Sequence, residues 1–279
     1  MQRTLAAGTH EFTVDGVRQV FRVAGRGPVL VAHSGGPGLD SSYLHSAELE
    51  KQFTVVYPEP VGTGRSGRPA AYGLKTYVRF LTALIDHLDQ PEVYLLGHSA
   101  GGFVALTYAL DHPARLAGLV LYSTSPEAGP EFWEATLAGV AAYPDPEVGA
   151  AFQRALAAPD DETISTEFAA ALPVYFADFD SRREDFAPFQ AAIRMSKEPA
   201  TTPDPTSYDV RDRLGELSVP TLIVIGAHDF ICGPRWGALL TQGIPDAQTV
   251  ILEKSGHFAH VEQPAEFGAA VAQIVAGRS

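Results

Sequence analysis

Short, largely apolar runs alternate with helical patterns along this chain, and that alternation restricts the fold more than any other feature. The runs occupy residues 29–32, 53–57, 93–96, 119–122 and 221–225. Runs of this kind are typical of strands that are covered on both faces. Apolar residues at helical spacing follow them at 74–88, 103–110, 234–241 and 264–276. The pattern predicts an α/β fold: a mostly parallel sheet with right-handed crossovers and helices on both faces.

Two further elements are predicted at the ends of this pattern. The β-prone runs 10–14 and 17–23 are joined by Asp15-Gly16, a dipeptide that favours a tight hairpin turn because both residues accept positive φ. Residues 248–252 form one more strand before the last helix. The chain is therefore expected to open with an antiparallel hairpin and to continue as a parallel sheet.

The alternation stops at about residue 126 and resumes at about residue 211. The stretch between is rich in alanine, acidic residues and proline, and helical patterns occupy 131–142, 146–157, 163–176 and 182–195. Ligands of open α/β sheets bind at the carboxyl edge of the strands, so an all-helical insertion after the sixth strand predicts a cap over that edge. A merely decorative surface insertion is the alternative. The expected division is a core domain of residues 1–125 and 211–279 with a helical cap of residues 126–210.

Composition restricts the partners of the chain. A formal charge of −13 argues against nucleic acid and anionic membrane surfaces, because both would repel it. The sequence has no apolar run long enough to span a bilayer, and its N-terminus lacks a long apolar segment. Cys232, the single cysteine, excludes an internal disulfide and a cysteine-based metal site. We expect a soluble, cytoplasmic protein that acts on a small-molecule substrate as a monomer or homodimer, without metal or other cofactor.

The segment Gly97-His98-Ser99-Ala100-Gly101 lies between a predicted strand and a predicted helix. A sharp turn in this setting exposes a serine hydroxyl at the carboxyl edge of the sheet, and the flanking glycines let the strand and helix approach closely. Gly-x-Ser-x-Gly occurs often by chance, so the strand-turn-helix setting carries most of the argument. Ser99 is the candidate nucleophile, and an ordinary serine at a turn is the alternative.

A serine hydroxyl needs a base and an orienting carboxylate before it can attack a carbonyl at neutral pH. Asp229 follows the predicted strand that ends near residue 225, and His257 follows the strand that ends near residue 252. The carboxyl ends of parallel strands meet at one edge of a sheet, so Ser99, Asp229 and His257 are expected to come together there.

These motifs resemble those of the α/β-hydrolase superfamily over essentially the whole chain. The resemblance is carried by the segment 97–101, by Gly226-x-x-Asp229, and by Gly256-His257-Phe258-x-x-x-Glu262-x-Pro264. It implies an α/β-hydrolase fold with a helical cap after the sixth strand and a catalytic triad in the chain order Ser, Asp, His.

The resemblance also implies an oxyanion hole made of backbone amides. One is the amide of Ala100, which follows the nucleophile, and the other is that of Gly35 or Gly36 in the loop after the third strand. A simple tight turn is the alternative interpretation of these two glycines. No metal or cofactor follows from the resemblance.

The Gly-Gly-Pro-Gly sequence at 35–38 is similar to the proline iminopeptidase branch of the superfamily, but the chain departs from it at three places. Ser34 stands where that branch has histidine. In the segment 59–66, the position of the arginine in that branch's Asp-Gln-Arg-Gly-x-Gly-x-Ser loop is occupied by Val61. His98 and Ala100 flank the nucleophile as they do in esterases, lactonases and carbon-carbon bond hydrolases. These departures leave the candidate triad intact and weaken the case for aminopeptidase specificity.

Several other side chains could contribute to the site. His98, Trp133, Tyr175 and Phe258 are the candidate substrate contacts. His260 lies three residues after His257, but no third ligand at metal-binding spacing accompanies this pair, so His260 is expected to be a polar loop residue. His228 directly precedes Asp229 and is a weaker candidate for the base than His257. The cap carries many carboxylates that could bind a free N-terminus, and most acids on a helical cap simply face solvent.

The sequence therefore predicts a serine hydrolase that cleaves a small, largely apolar ester, lactone or related acyl substrate through an acyl-enzyme. A proline iminopeptidase is the alternative within the hydrolases. A non-hydrolytic small-molecule receptor, or a lyase or cyclase, is the alternative from another class, because neither fold nor triad fixes function.

Overall fold

A computed structural model describes residues 5–202 and 208–276, and within them eight strands form one sheet. The order across the sheet is β1-β2-β4-β3-β5-β6-β7-β8. The strands are β1 (Gly8–Val14), β2 (Val17–Gly25), β3 (Val29–His33), β4 (Thr54–Glu59), β5 (Val93–His98), β6 (Leu116–Tyr122), β7 (Thr221–Gly226) and β8 (Gln248–Leu252).

The first two strands are antiparallel and the rest of the sheet is parallel. β1 and β2 form the hairpin, which turns at Asp15 and Gly16 with φ of 49° and 81°. β2 also pairs antiparallel with β4, and every pairing from β4 across to β8 is parallel. The predicted α/β-hydrolase fold class is confirmed, and the six parallel strands place their carboxyl ends at a common edge.

Helices cover both faces of the sheet. They are α1 (Ala47–Glu50), α2 (Leu74–His87), α3 (Ala100–Asp111), α4 (Pro130–Ala141), α5 (Pro146–Leu156), α6 (Asp161–Ala171), α7 (Arg183–Ala192), α8 (Lys197–Thr201), α9 (Pro234–Gly243), α10 (Ala259–Glu262) and α11 (Pro264–Ala276). Within β3, Leu30 and Ala32 join the core under α1 and α11, whereas Val31 joins the core under α2, α3 and α9. The period-two alternation of a buried strand thus fills two separate cores.

The insertion between β6 and β7 is helical, as predicted, and contains α4 to α8. The predicted helix 163–176 is shorter, because a 3-10 turn that begins at Leu172 and contains Pro173 follows α6. Proline has no N–H for the helical ladder, which explains the early end. Where the insertion leaves and rejoins the core, the Ala128 amide donates to the Tyr208 carbonyl (2.9 Å) and the Val210 amide donates to the Pro126 carbonyl (2.9 Å). The exact domain boundaries stay a prediction.

The interior of the insertion is continuous with one core of the sheet. Buried aromatic residues of the insertion pack in the same cluster as residues of β3, β4, β6 and α11. Within the described part of the chain, no helix is both long enough and apolar enough to cross a membrane.

Candidate active site

Ser99 lies on a strained turn between β5 and α3. Its φ of 53° and ψ of −125° belong to a region that non-glycine residues rarely adopt. Two hydrogen bonds hold the turn: the Ser99 amide donates to the Tyr122 carbonyl (3.0 Å), and the Thr124 hydroxyl donates to the Ser99 carbonyl (2.7 Å). The side chain is thereby presented at the carboxyl edge of the sheet, and the residue is 9% exposed.

The two glycines of the motif are required by close packing. A Cβ on Gly97 would overlap the carbonyl oxygen of Gly101 and lie 2.7 Å from Cβ of Ala105. A Cβ on Gly101 would overlap the backbone carbonyls of His33 and Ser34. Strand and helix therefore meet at a distance that a side chain would prevent, as the motif predicts.

Asp229 and His257 are hydrogen-bonded to each other at the same edge. Nδ1 of His257 lies 2.8 Å from Oδ2 of Asp229, and both side chains are buried. The other Asp229 oxygen accepts the amides of Ile231 (3.0 Å) and Cys232 (2.9 Å). Because a carboxylate only accepts, Nδ1 carries the proton and Nε2 is left as the basic nitrogen. This is the arrangement in which an imidazole serves as a general base.

The predicted oxyanion donors do not all remain available. The Gly35 amide donates to the hydroxyl oxygen of Tyr43 at 2.7 Å, so the interpretation of Gly35 as an oxyanion donor is corrected. The amides of Gly36 and Ala100 have no acceptor among the described residues. A Cβ on Gly35 would lie 2.8 Å from Cβ of Ser99, which shows that this loop lies against the serine. Of the three predicted donors, Gly36 and Ala100 are therefore the two whose amides are left free for another acceptor.

Comparison with known proteins agrees with this geometry. The family model described as the alpha/beta hydrolase fold matches residues 27–264. The chain belongs to the α/β-hydrolase family. A proline iminopeptidase of Lactobacillus crispatus is 27% identical, over 90% of this chain and 92% of the relative. A 2-hydroxy-6-oxononadienedioate/2-hydroxy-6-oxononatrienedioate hydrolase of Cupriavidus pinatubonensis is 26% identical, over 99% of this chain and 98% of the relative.

Solved structures give the same family. An N-acyl homoserine lactone degrading enzyme superposes with a TM-score of 0.72 at 25% identity, over 95% of this chain and 99% of its own. The relatives of this α/β hydrolase thus include a proline iminopeptidase, a lactone-degrading enzyme and a hydrolase of 2-hydroxy-6-oxononadienedioate.

His98 does not contact substrate in this α/β hydrolase, contrary to prediction, because its ring is completely buried (0% exposed) and both ring nitrogens are occupied. Nε2 donates to the carbonyl of His257 (3.0 Å), so Nδ1 is unprotonated and accepts the hydroxyl of Tyr43 (2.7 Å). Burial, together with the neighbouring His257 and His260, holds the pKa of His98 well below its ordinary value. The hydrogen bonds from Gly35 through Tyr43 and His98 to His257 join the loop after β3 (residues 34–38, the oxyanion loop) to the loop after β8 (residues 254–257, the base loop).

A second buried histidine supports the same region. His260 is buried on α10, and its Nε2 donates to the Tyr43 carbonyl (2.8 Å) while Nδ1 accepts the Tyr122 hydroxyl (2.9 Å). Burial lowers the pKa of His260 to about 4, so the ring is neutral. Sequence reasoning placed His260 in a polar loop and missed Tyr43 and Tyr122. Tyr122, as the residue paired with His98 across β6 and β5, could have been found from the sheet register, whereas Tyr43 depends on a short 3-10 turn.

Of the remaining candidate substrate contacts, two are buried in the protein and one is exposed on its surface. Tyr175 lies beside the base, with ring centroids of Tyr175 and His257 5.6 Å apart, and stays a candidate. Phe258 is packed among Tyr43, Tyr175 and further cap rings, so it supports the site from within the core. Trp133 is 48% exposed on α4, with its ring against Phe132, and its predicted substrate contact is corrected. An amphipathic helix buries one face only, and Trp133 is on the other.

Proposed function

We propose that this α/β hydrolase is a serine hydrolase that cleaves a small, largely apolar ester, lactone or related acyl substrate. The observation that carries the proposal is the His257–Asp229 hydrogen bond, formed at the sheet edge where the strained turn presents Ser99. A base oriented by a buried carboxylate and a serine exposed by a sharp turn are the parts that acyl transfer needs.

The proposed mechanism assigns one task to each group. Nε2 of His257 takes the proton of Ser99 as the hydroxyl oxygen attacks the substrate carbonyl. The amides of Ala100 and Gly36 stabilise the negative oxygen of the tetrahedral intermediate. Asp229 stabilises the imidazolium, which then protonates the leaving group, and water activated by His257 hydrolyses the acyl-enzyme.

The interior of the insertion supports an apolar substrate. Five of its rings are buried in one apolar cluster with Phe258: Phe168, Tyr175, Phe176, Phe179 and Phe186. Of these, Tyr175 lies beside His257, with 5.6 Å between ring centroids. Half-buried Phe189 and Phe230 contact these rings, with Phe189 5.8 Å from Phe176 and Phe230 4.9 Å from Tyr175 between ring centroids. Ligand sites are usually lined by apolar and aromatic side chains with few polar groups. The lactone-degrading structural relative points the same way.

Most carboxylates of the insertion are unsuited to bind the ammonium of a peptide N-terminus. Glu131, Glu167 and Asp180 pair with Arg235, Arg154 and Arg183 on the surface. An ammonium subsite needs an acid that is buried and free to pair with the ligand.

Proline iminopeptidase remains a second candidate because of one acid. Glu127 is 3% exposed where the insertion begins; one oxygen accepts the Gly129 amide at 2.5 Å, and Oε1 has no partner among the described residues. A buried, half-satisfied carboxylate could bind an ammonium. The iminopeptidase relative from Lactobacillus crispatus agrees with this candidate.

A parallel assay separates the two candidates. We expect hydrolysis of p-nitrophenyl butyrate and of short-chain lactones, little hydrolysis of a prolyl arylamide, and loss of turnover in a folded Ser99→Ala variant. Preference for the prolyl arylamide, lost in Glu127→Gln, would replace the ester hydrolase by the peptidase. Thermal stabilisation by a ligand that is never turned over would favour a non-hydrolytic receptor.

We also propose a cytoplasmic protein that acts on a small molecule, as a monomer or homodimer and without metal or other cofactor. The acidic charge and the single cysteine support this expectation. Cys232 is fully buried, and burial raises the pKa of its thiol, which leaves Ser99 as the nucleophile.

A further inference from the structure

Glu262 is a buried carboxylate next to the base loop (residues 254–257) that the proposed mechanism does not use. It ends α10, five residues after His257, and is 5% exposed. Oε2 accepts the Gly256 amide at 2.6 Å, and Oε1 accepts the Ala177 amide at 2.7 Å. One carboxylate thus bonds both the residue before the base and a residue of the helical insertion.

The insertion and the base loop are in direct backbone contact at this point. The His257 amide donates to the Tyr175 carbonyl at 2.7 Å. A Cβ on Gly256 would overlap that same carbonyl and lie 3.0 Å from Cα of Phe176. The segment 175–177 therefore lies on residues 256–257 without an intervening side chain, and Glu262 closes the contact from behind.

The ionised carboxylate is the form that offers a strong acceptor to each of the two amides. Each oxygen of the charged group accepts one N–H, and bonds of 2.6 and 2.7 Å are typical of charge-assisted hydrogen bonds. A carboxamide places an NH2 donor opposite one of the amides, and a protonated carboxyl leaves a hydroxyl oxygen there, which is a much weaker acceptor. Neither group therefore holds both amides as the carboxylate does.

Burial raises the pKa of Glu262 to about 7, against the opposing effects of the two amides and of Arg182. Arg182, from the turn before α7, also donates to the Glu262 carbonyl at 3.1 Å. The charged and titratable groups that act on Glu262 from neighbouring elements are Arg182, Asp229 after β7 and Tyr122 in β6. Near neutral pH the carboxyl group therefore exchanges between the form that bonds both amides and the form that bonds one.

We propose that Glu262 is a positioning residue that couples the helical insertion to the catalytic base through the amides of Ala177 and Gly256. When the carboxylate is ionised, segment 175–177 and the base loop move as one unit and His257 is held in register with Ser99. When it is protonated, one amide is released and the base is less well placed. The proposal rests on the proposed serine hydrolase function.

The test compares Glu262→Gln with wild type across pH, with p-nitrophenyl butyrate as the probe substrate. At pH 8.5 kcat is expected to fall about tenfold with little change in KM, as loss of one hydrogen bond to a charged group predicts. Below pH 6 the wild-type carboxyl is mostly protonated and, like the glutamine, no longer bonds both amides well. The kcat values of the two proteins should then agree within about twofold. A ratio of activities that does not change with pH would overturn the proposal.

Glu59→Gln is the matched control. Glu59 in β4 is also a mostly buried carboxylate that accepts a backbone amide, that of Arg65, but it bonds neither the base loop nor the insertion. Its ratio of activities to wild type should be constant across pH. A pH-dependent ratio of the same size in Glu59→Gln would mean that the effect is not specific to Glu262.

Hydrogen exchange tests the coupling without an activity assay. Amide protection in residues 175–177 and 256–257 should fall in Glu262→Gln, and it should fall in wild type as pH drops below 7. Unchanged protection would contradict the coupling. If the wild-type protein neither cleaved the ester nor reacted with a fluorophosphonate, the proposed function would fail, and the exchange result would still decide whether Glu262 joins the two segments.

Discussion

Replacing Tyr43 with phenylalanine tests the buried bonds that join the oxyanion loop to the base loop. The hydroxyl accepts the Gly35 amide and donates to Nδ1 of His98, both at 2.7 Å, and both partners are buried. The variant leaves one donor and one acceptor without a partner. A buried group left unsatisfied costs about 1–3 kcal/mol, so Tyr43→Phe should lower the free energy of unfolding by about 3 kcal/mol.

Urea unfolding followed by tryptophan fluorescence measures this loss, with Tyr94→Phe as the control. Tyr94 is also buried, but its hydroxyl has no hydrogen bond within the described chain, so removing it should change stability by less than about 0.5 kcal/mol. We also expect kcat for an ester to fall about tenfold or more in Tyr43→Phe, because small displacements of catalytic groups strongly reduce rates. Equal stability and activity of the two variants would refute the assigned network.

Three further predictions concern the turn that carries Ser99, the carboxylate of Asp229 and the dependence of stability on pH. Gly97→Ala should lower the free energy of unfolding by about 2 kcal/mol, since the new Cβ overlaps backbone; an unchanged thermal midpoint would contradict the packing. Asp229→Asn should reduce kcat about 10³- to 10⁴-fold while the fold persists, because the amide can stabilise the wrong tautomer; a loss below about tenfold would remove Asp229 from the mechanism. Stability in urea should fall as pH drops from about 6.5 towards 4, because three buried histidines have folded pKa values below the unfolded value; they are His33, His98 and His260. Protonation of Glu262, whose pKa is raised, stabilises the folded protein over the same range, but it opposes three histidines with only one group. Constant stability between about pH 6.5 and 4 would contradict the assignment of neutral, buried histidines.

The fold was predictable because its signals are local. Buried parallel strands are short apolar runs, and each predicted run coincides with a strand of the sheet, including residues 93–96 in β5 and 221–225 in β7. The Asp15-Gly16 turn is equally local, since positive φ at both positions decides the hairpin. What the patterns missed are short elements such as α8 and α10, which are too brief to show a helical period.

The residues of the candidate site were predictable only where a side chain of catalytic type directly follows a strand. Ser99, Asp229 and His257 follow strands, so topology brings them to one edge. The assignment of Gly35 could not be settled from sequence, because it depends on which amide Tyr43 occupies. The sequence placed Glu262 in the motif at 256–264 but assigned it no role. Its partner amide at Ala177 is 85 residues away and reaches it only through the fold of the insertion.

The central claim, that Ser99 is a nucleophile activated by His257, is tested most directly by labelling with a fluorophosphonate probe and mapping the modified peptide. The probe reacts with an activated serine and mimics the tetrahedral intermediate of acyl transfer. The geometry predicts covalent modification of Ser99 in the wild-type protein and a sharp loss of labelling in His257→Ala. A folded wild-type protein that remains unmodified, or equal labelling of both proteins, would contradict the claim.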